Sequence, residues 1–410
     1  MEQLGKMARE ASIEVAKTSS SLRNDALKLI ADELVLNAEQ ILDANTADID
    51  RAIEDNLGST ALDRLLLSKE RVESMATGLM TVADLGDPVG EVVDGWVRPN
   101  GLRVERIRVP LGVIGVIYEN RPNVTSDAAG LCLKAGNAVL LRGSASSINS
   151  NKAIVEVMRS SLMKIDLPAN AVTLVEDTSH ATAVEFMRMR GFIDCLIPRG
   201  GKSLIASLLE NATVPYVLDG DGNCHIYVDK TADLDMALSI VVNAKTSRPG
   251  VCNAAETLLV DKEISEVFLR MVATALEGVE LVGDERTQKI LPDVGLAGKQ
   301  DYGTEFLGLK LAIAVVDDIS QAIVHISEYG TGHSEAIVTR DLASADRFVS
   351  EVDAAAVLVN ASTRFIDGGE LGLGAEVGIS TQKLHARGPM GLRELTCTKW
   401  IVRGEGHIRQ

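Results

Sequence analysis

The sequence predicts an α/β fold in which parallel β-sheets are covered by helices on both faces. From Pro110 onward, apolar runs of strand length alternate with longer segments of helical periodicity, which is typical of βα repetition. The same alternation resumes after Cys252, so we expect two doubly wound α/β domains in succession. A chain of 410 residues with 46% apolar and 24% charged residues is long enough to bury a large core.

The first part of the chain is expected to be helical. Apolar residues on one face predict a helix over Ser21–Ala44 and another over Leu62–Leu79, and Gly86-Asp87-Pro88 ends this region. The next segment, EVVDGWVRPNGLRVERIRVP, has two alternating runs around Pro-Asn-Gly, which predicts a β-hairpin. We expect this long, projecting hairpin to be an assembly element.

Strands and helices alternate in the rest of the chain. We expect strands at VIGVIY, AVLLR, AVTLVE, FIDCLIP and CHIYVD, and a second series at ETLLV, AIAVVD, EAIVT and AVLVN. Helices are predicted between them, among others over Ser126–Lys134, Ser147–Met163 and Lys202–Asn211. The segment TCTKWIVRGEGHI predicts a last strand that pairs with a neighbouring subunit.

Charge and cysteine usage narrow the class of protein. A net charge of −17 argues against nucleic acid and anionic membranes as partners, although local basic residues can still bind an anionic substrate. No signal-peptide core and no run of 18 apolar residues is found, so a cytoplasmic protein is expected. Five scattered cysteines without a CxxC pair, and six histidines without HExxH spacing, predict neither a disulfide framework nor a metal site.

Several polar groups are predicted at the carboxyl edge of the first sheet, where doubly wound proteins bind ligands. FIDCLIP leads into a helix at Gly200 and Gly201, whose N–H groups can face a pyrophosphate; the alternative is a tight βα turn. Arg142 ends the strand AVLLR, where a guanidinium suits a phosphate or ribose unless it is only solvated. Arg121 and Asn123 follow VIGVIY, and the Asn123 amide suits an oxyanion unless this segment is an ordinary cap and turn.

Cys252 differs from the other cysteines because it is predicted in a loop, after the helix Leu234–Lys245 and a Pro-Gly pair. The other four lie in apolar patterns and are expected to be small core residues: Cys132, Cys195, Cys224 and Cys397. A loop cysteine is either a nucleophile or a small core residue, and the pattern alone leaves both open.

Seven segments in this order resemble the aldehyde dehydrogenase superfamily: VPLGVIGVIYENRPNVTSDA, LKAGNAVLLRGS, the Arg-Gly-Gly-Lys turn, DGNCHIYVD, NAKTSRPGVCNAAETLLV, YGTGHSEAIVT and GPMGLRELTCTKW. The resemblance covers nearly the whole chain and is most specific between Pro110 and Trp400. Within the superfamily, the chain most closely resembles the branch that reduces γ-glutamyl phosphate.

The resemblance implies three kinds of segment. Residues 1–92 and 111–231 would form a cofactor-binding domain, 232–385 a catalytic domain, and 93–110 with 393–410 the oligomerisation elements of a homo-oligomer. The implied reaction is the NADPH-dependent reduction of L-glutamyl 5-phosphate to L-glutamate 5-semialdehyde and phosphate. It would proceed through a cysteine thioester, in proline biosynthesis.

The resemblance also implies roles for single residues. Cys252 would be the nucleophile, and Glu305 would hold the nicotinamide ribose. Gly200 and Gly201 match the helix start that follows the cofactor strand. Arg142 matches a lysine that contacts the adenosine ribose, and its planar fork also suits a 2′-phosphate, which favours NADPH.

The resemblance identifies the residues around the substrate less directly than the nucleophile and the cofactor-binding residues. Asn123 is assigned as the oxyanion donor, although an ungapped comparison puts Arg121 at that place. Arg121, Arg248 and Arg364 are candidates for binding the substrate phosphate or carboxylate. For Arg248 and Arg364 the alternative is a role in loop packing.

One segment departs from the hydrolytic members of the superfamily. They carry a glutamate in ELGGK that activates water, whereas this chain has VLDGDGNCH, with Asp219 as only a loose match. A reductase fed by an acyl phosphate should not hydrolyse its thioester, so the change fits the reductase interpretation. The alternatives are a hydrolytic aldehyde dehydrogenase and a catalytically silent nucleotide-binding relative.

Overall fold

The computed structural model describes residues 1–218 and 220–409. The helices in chain order are α1 Glu2–Val15, α2 Ser20–Leu36, α3 Ala38–Glu54, α4 Ser59–Leu65, α5 Lys69–Asp84, α6 Asn123–Lys134, α7 Ile148–Met163, α8 His180–Met187, α9 Lys202–Asn211, α10 Leu234–Thr246, α11 Ser265–Ala275, α12 Glu285–Ile290, α13 Lys299–Tyr302, α14 Ile319–Tyr329 and α15 Leu342–Glu351. The strands are β1 Val92–Val97, β2 Arg103–Pro110, β3 Val113–Tyr118, β4 Ala138–Arg142, β5 Val172–Leu174, β6 Cys195–Arg199, β7 Cys224–Val228, β8 Ala255–Asp261, β9 Glu280–Gly283, β10 Gly295–Leu296, β11 Lys310–Val316, β12 Ser334–Val338, β13 Ala356–Val359, β14 Ile379–Ser380, β15 Gly388–Pro389 and β16 Thr396–Arg403.

The chain divides into two compact units. The first comprises residues 1–218, 373–378 and 390–410, and the second comprises 219–372 and 379–389. The expected domain boundary at residue 231 differs from this division, because β7 pairs with β8 and β12 and so belongs to the sheet of the second unit. No helix among the described residues is both long and apolar enough to cross a bilayer.

The first unit contains a parallel sheet with strand order β5-β4-β3-β6. The central strand β3 is buried along its whole length, as a continuous apolar run in a covered parallel sheet should be. Its register pairs Ile117 with Arg142 on β4 and Tyr118 with Arg199 on β6. The carboxyl ends of these three strands therefore lie level at one edge of the sheet.

A second sheet of the first unit contains the predicted hairpin. Strands β1 and β2 pair antiparallel with a register shift near Val92, and β16 pairs antiparallel with β2. The rings of Trp96 and Trp400 meet edge to face at 5.6 Å. The hairpin is confirmed, and the C-terminal strand, which was expected to pair with a neighbour, pairs with β2 of its own chain.

The second unit contains a seven-stranded sheet with order β10-β9-β11-β8-β7-β12-β13. All its paired strands run parallel. A core of buried aliphatic residues from these strands packs against α10 and α11. The predicted α/β class is confirmed, and β9 is a strand that the sequence patterns did not indicate.

Two predicted helices are each interrupted. The segment Ser21–Ala44 breaks at Asn37, whose side-chain amide donates to the carbonyl oxygen of Glu33 at 2.7 Å and so ends α2. The segment Leu62–Leu79 breaks between α4 and α5, where Ser68 accepts a hydrogen bond from the N–H of Arg71 and caps α5. Helical periodicity continues through both breaks, because α2 and α3 both pack against α7, and α4 and α5 both pack against α3.

Candidate active site

A short loop between α10 and β8 carries the predicted nucleophile. Residues 247–254 are named the nucleophile loop, and Cys252 within it is partly exposed. The next residue, Asn253, is buried; its amide donates to the carbonyl oxygen of Ile366 at 2.8 Å, and its own carbonyl accepts from Thr363 Oγ1 at 2.7 Å. These hydrogen bonds fix the backbone beside the thiol.

A glycine lets a second segment approach the nucleophile. A Cβ on Gly222 would lie 1.5 Å from the carbonyl oxygen of Cys252, so no larger residue fits there. The same carbonyl accepts a hydrogen bond from the Cys224 thiol at 3.1 Å. The N–H of Gly222 donates to Glu305 Oε1 at 2.9 Å. Gly222 therefore contacts both Cys252 and Glu305, at the end of the sheet where β7, β8 and β11 begin.

The two arginines predicted near the loop have different surroundings. Arg364 donates from Nη1 to the side-chain oxygen of Asn253 and from Nε to Ser247 Oγ at 3.2 Å. Arg364 therefore packs against the nucleophile loop, which is the alternative role that the sequence left open. Arg248 is exposed and has no hydrogen-bond or ion-pair partner within the described part of the chain.

In the first unit, the start of α9 holds an anionic group from the chain itself. The N–H of Gly201 donates to Glu119 Oε2 at 3.1 Å. A Cβ on Gly200 would lie 2.7 Å from the Glu119 carboxyl carbon. Because unpaired N–H groups and the helix dipole favour anions at this end of a helix, the same place suits a phosphate that displaces Glu119.

Arg142 is only partly engaged at the end of β4. Its Nη2 donates to the carbonyl oxygens of Thr178 at 2.6 Å and Ser179 at 3.1 Å. Its Nε is buried and has no hydrogen-bond partner among the residues that the structure describes. One side of the guanidinium thus fixes the segment before α8.

Two asparagines follow β3, one in the turn and one at the start of α6, and their side-chain amides have different partners. Asn123 donates its amide to Asp127 Oδ2 at 2.8 Å, one turn further along α6. Asn120 has a left-handed φ of 34°, and its Oδ1 accepts from Ser144 Oγ at 3.1 Å and from Ser146 Oγ. The Asn120 amide nitrogen has no partner among residues 1–218 and 220–409.

Sequence reasoning passed over Asn120 and Glu119, which both lie in this turn. Two signals were available, since Asn tolerates a positive φ better than other residues and both positions follow a buried strand directly. Arg121 is exposed in the same turn.

The remaining cysteines are mostly core residues, as predicted. Cys132, Cys195 and Cys224 are buried, and burial raises the pKa of the Cys195 thiol to about 12 and that of Cys224 well above its ordinary value. The prediction is wrong for Cys397, which is exposed on β16. β16 is open on both faces, since its residues from Cys397 to Arg403 are exposed or half-buried. No group of three His, Cys, Asp or Glu side chains among the described residues is arranged to hold a metal ion.

Comparison with known proteins shows which family this chain belongs to. The model of the aldehyde dehydrogenase family matches residues 1–292. A γ-glutamyl phosphate reductase of Clostridium beijerinckii is 55% identical over 407 residues, which cover 99% of this chain and 98% of the relative. A crystal structure of γ-glutamyl phosphate reductase from Thermotoga maritima is 49% identical, with a TM-score of 0.98 and coverage of 100% and 99% of the two chains.

A more distant crystal structure, that of the γ-glutamyl phosphate reductase of Saccharomyces cerevisiae, is 30% identical with a TM-score of 0.55 and covers 100% of this chain and 98% of its own. The chain belongs to the aldehyde dehydrogenase family, and its fold is the one that this family shares. Within that family it is an oxidoreductase of the γ-glutamyl phosphate reductase group.

Proposed function

We propose that this chain reduces L-glutamyl 5-phosphate to L-glutamate 5-semialdehyde and phosphate, with NADPH as the reductant and a thioester on Cys252. The observation that carries the proposal is the partly exposed Cys252 on a loop fixed by Asn253 and Gly222. The names of the relatives support the choice of substrate. The place of the reaction in proline biosynthesis in the cytoplasm is part of the same proposal.

The chemistry at Cys252 has two stages. The thiolate attacks the acyl carbon, a C–S bond forms, and the C–O bond to phosphate breaks with its electron pair leaving on phosphate. NADPH, which Gly200, Gly201, Arg142 and Glu305 would hold, would supply the hydride that reduces the thioester carbon. The resulting thiohemiacetal oxyanion re-forms the carbonyl, the C–S bond breaks, and the electron pair returns to the Cys252 sulfur as the aldehyde leaves.

The residues of the first unit fit a dinucleotide phosphate. At the start of α9, Gly201 already binds the carboxylate of Glu119, which is the kind of oxygen anion that a pyrophosphate would replace. The buried Nε–H of Arg142 is a further donor at the same edge. These two observations support Gly200, Gly201 and Arg142 as cofactor-binding residues, and the contact with Gly222 supports Glu305 as a residue held in place to bind ribose.

The oxyanion needs a hydrogen-bond donor, and two amides are candidates. Asn123 remains the predicted donor, but its amide nitrogen already donates to Asp127. We add Asn120 to the proposal, because hydroxyl groups hold its oxygen and leave its nitrogen as the donor. An amide oriented in this way costs little reorganisation when charge develops.

Three arginines are proposed to bind the anionic substrate. Arg248 is the strongest candidate, because its guanidinium is exposed four residues before Cys252 and has no partner among the described residues. Arg364 can contribute only through donors that Asn253 and Ser247 do not use. Arg121 is exposed in the turn after β3 and remains a candidate.

A homo-oligomer joined through the hairpin sheet is part of the proposal. Its exposed apolar side chains include Trp96 at 43%, Val97 at 65% and Trp400 at 56% of full exposure, which is unusual for large apolar residues on a monomer. A chain truncated after residue 400 should then sediment and scatter light as a smaller species. An unchanged molar mass would speak against this assembly.

The reductase and the hydrolase differ in their need for phosphate. In the oxidative direction, L-glutamate 5-semialdehyde should reduce NADP⁺ only when inorganic phosphate is present. Asp219, the loose match to the hydrolytic glutamate, lies outside the described residues. Reduction of NADP⁺ in phosphate-free buffer with free glutamate as product would favour the hydrolytic aldehyde dehydrogenase. Dinucleotide binding without any turnover would favour the catalytically silent relative.

A further inference from the structure

A buried ion pair joins the two ends of the nucleophile loop. Lys245 lies in the last turn of α10 and Glu256 is the second residue of β8, so the pair brackets the loop that carries Cys252. Nζ of Lys245 is 2.5 Å from Oε2 of Glu256, and both side chains are 0% exposed. The pair therefore sets the distance between the points where the loop leaves the helix and enters the sheet.

The second carboxylate oxygen of Glu256 reaches a different segment. Oε1 accepts a hydrogen bond from the backbone N–H of Leu307 at 3.1 Å, and Leu307 has a left-handed φ of 53°. Lys245 Nζ also lies 5.9 Å from the ring centroid of Phe306. Leu307 follows Glu305 by two residues, and Glu305 in turn accepts the N–H of Gly222. The Glu256 carboxylate thus connects the end of the nucleophile loop with residues 305–307, named the Glu305 segment.

Stability alone does not account for this pair. Burial raises the pKa of Glu256 to about 7 and lowers that of Lys245, which is the expected result of removing both charges from water. Replacing a buried ion pair with apolar residues of similar volume is often neutral or stabilising. The ion pair is therefore better explained by the geometry that it fixes than by a gain in stability.

We propose that Glu256, held by Lys245, is a positioning residue that keeps the Cys252 loop and the Glu305 segment in one fixed arrangement. The proposal rests on the proposed function, in which Cys252 attacks the substrate and Glu305 binds the cofactor. Glu256 touches neither ligand; it acts through the loop ends and through the N–H of Leu307.

Two double variants separate positioning from stability. Lys245→Gln/Glu256→Gln keeps an oxygen acceptor for the Leu307 N–H and allows an amide–amide hydrogen bond across the old ion pair. Lys245→Met/Glu256→Leu removes both charges and the acceptor. The single variant Lys245→Met leaves a buried carboxylate unpaired, and its Tm should fall by roughly 10 °C. Neither double variant leaves an unpaired charge, so their Tm values should lie close to that of the wild type.

The expected result is a loss of activity that does not follow Tm. The amide pair should keep kcat close to the wild-type value, whereas the apolar pair should lose about 10- to 100-fold in kcat because small misplacements of reacting groups are costly. Equal kcat values for the two double variants, or kcat values that follow Tm across the series, would overturn the proposal. Should Lys245→Met/Glu256→Leu not fold, Lys245→Met/Glu256→Met provides a second apolar pair with a more adaptable side chain.

A measurement without substrate keeps this test independent of the proposed reaction. Iodoacetamide labelling of Cys252, read by mass spectrometry against the exposed Cys397 in the same sample, reports the geometry of the loop alone. The Cys252-to-Cys397 labelling ratio should match the wild type in the amide pair and differ from it in the apolar pair. An unchanged ratio in both would refute the positioning role, even if the enzyme proved to act on another substrate.

Discussion

The two parallel sheets present their candidate residues at opposite ends of their strands. In the four-stranded sheet, Arg142 is the last residue of β4, and Asn120 and Gly200 closely follow β3 and β6, so all three lie at its carboxyl edge. In the seven-stranded sheet, Gly222 and Cys252 lie in the segments that lead into β7 and β8, and so at its amino edge. The rule that ligands bind at carboxyl ends of parallel strands describes the first sheet and not the second.

Helix polarity explains what each edge can do. Helices that follow parallel strands begin at the carboxyl edge, so α6 and α9 have their N-termini and a partial positive charge there. At the amino edge α10 ends at Thr246, which directs its negative end toward the nucleophile loop. A thiolate on this loop gains no help from that helix, so side chains and close backbone contacts must position it. Arg248 and Arg364 are the cations in or beside the loop.

The carboxyl edge of the seven-stranded sheet is satisfied by its own side chains. Asp229 Oδ1 accepts hydrogen bonds from the hydroxyl groups of Thr231 at 2.6 Å and Thr339 at 3.0 Å. The hydroxyl group of Tyr227 lies 3.3 Å from Asp261 Oδ2. These groups are hydrogen-bonded to one another at the carboxyl edge of the sheet.

The nucleophile gives the largest expected effect. Cys252→Ser should lower kcat by about 10⁴-fold or more, because loss of the attacking group removes the covalent route. NADPH affinity should remain nearly unchanged in a fluorescence titration, since the proposed cofactor residues lie mainly at the carboxyl edge of the other sheet.

Cys195→Ala is the matched control, because Cys195 is a buried thiol of the four-stranded sheet. It should retain turnover and lose only stability. An active Cys252→Ser protein with an inactive Cys195 or Cys224 variant would move the nucleophile elsewhere.

The two asparagines after β3 test the carboxyl edge. Asn120→Ala should lower kcat by about 10²- to 10³-fold, which is the usual effect of losing one oxyanion donor. Asn123→Ala should lower kcat much less, since its amide already donates to Asp127. The reverse order would return the role to Asn123.

Gly222 tests the amino edge. Its Cβ in Gly222→Ala would meet the Cys252 carbonyl at 1.5 Å, so the nucleophile loop must move and kcat should fall by roughly 100-fold. Gly250→Ala, in the same loop, would place its Cβ 3.8 Å from the nearest atom and should be tolerated. Equal steady-state rates for the two variants would show that the close approach is not needed.

Much of the candidate site could be predicted from the sequence, because the patterns that indicate it lie in short stretches of the chain. The strand patterns VIGVIY and AVLLR, followed by polar residues, located Arg142 and the turn after β3. The loop position of Cys252 followed from its Pro-Gly neighbours. The strand orders β5-β4-β3-β6 and β10-β9-β11-β8-β7-β12-β13 could not be predicted, because pairing between distant strands leaves no periodic signal.

The remaining misses depend on tertiary contacts. Gly222 sits in a glycine-rich segment, but nothing in GDGNC shows that a carbonyl thirty residues away fills the space of its missing side chain. Asn120 lies in the turn after β3 and Asn123 begins α6; the amide nitrogen of Asn123 donates to Asp127, whereas that of Asn120 has no partner among the described residues. A pattern of residue types places both asparagines at the edge, and only the side-chain geometry separates them.

Removing Arg142, the residue proposed to favour NADPH over NADH, should have a weaker effect than the substitutions described above. Arg142→Ala should weaken NADPH by about tenfold and spare NADH, since one hydrogen bond from a charged donor to a 2′-phosphate is lost. The effect stays modest because Nη2 of Arg142 is engaged by the carbonyl oxygens of Thr178 and Ser179. Dissociation constants for both dinucleotides, with Arg142→Lys as the charge-preserving control, measure it. Equal losses for NADPH and NADH would show that Arg142 does not bind the 2′-phosphate.

The smallest expected effect on activity is at His325, a polar ring in the aromatic cluster of the second unit. Its ring centroid lies 4.9 Å from that of Tyr302 and 4.7 Å from that of Tyr329, and neither ring nitrogen has a hydrogen-bond partner among the described residues. Burial, assisted by the neighbouring His225, lowers the pKa of His325 to about 3. The unfolded chain protonates this histidine below its ordinary pKa of about 6.5 while the folded chain does not, so stability is lost as pH falls below that value.

His325→Phe removes this titration and two unpaired polar atoms together. The variant should be more stable than the wild type by about 1 kcal/mol at pH 8 and by about a further 2 kcal/mol at pH 5, with unchanged kcat. Thermal scans of both proteins at the two pH values measure the difference. His180→Phe, at an exposed histidine of the first unit, should leave the gap in Tm between pH 8 and pH 5 as it is in the wild type. A wild-type gap in Tm that persists in His325→Phe would place the acid sensitivity elsewhere, first at His333, whose pKa burial lowers to about 4.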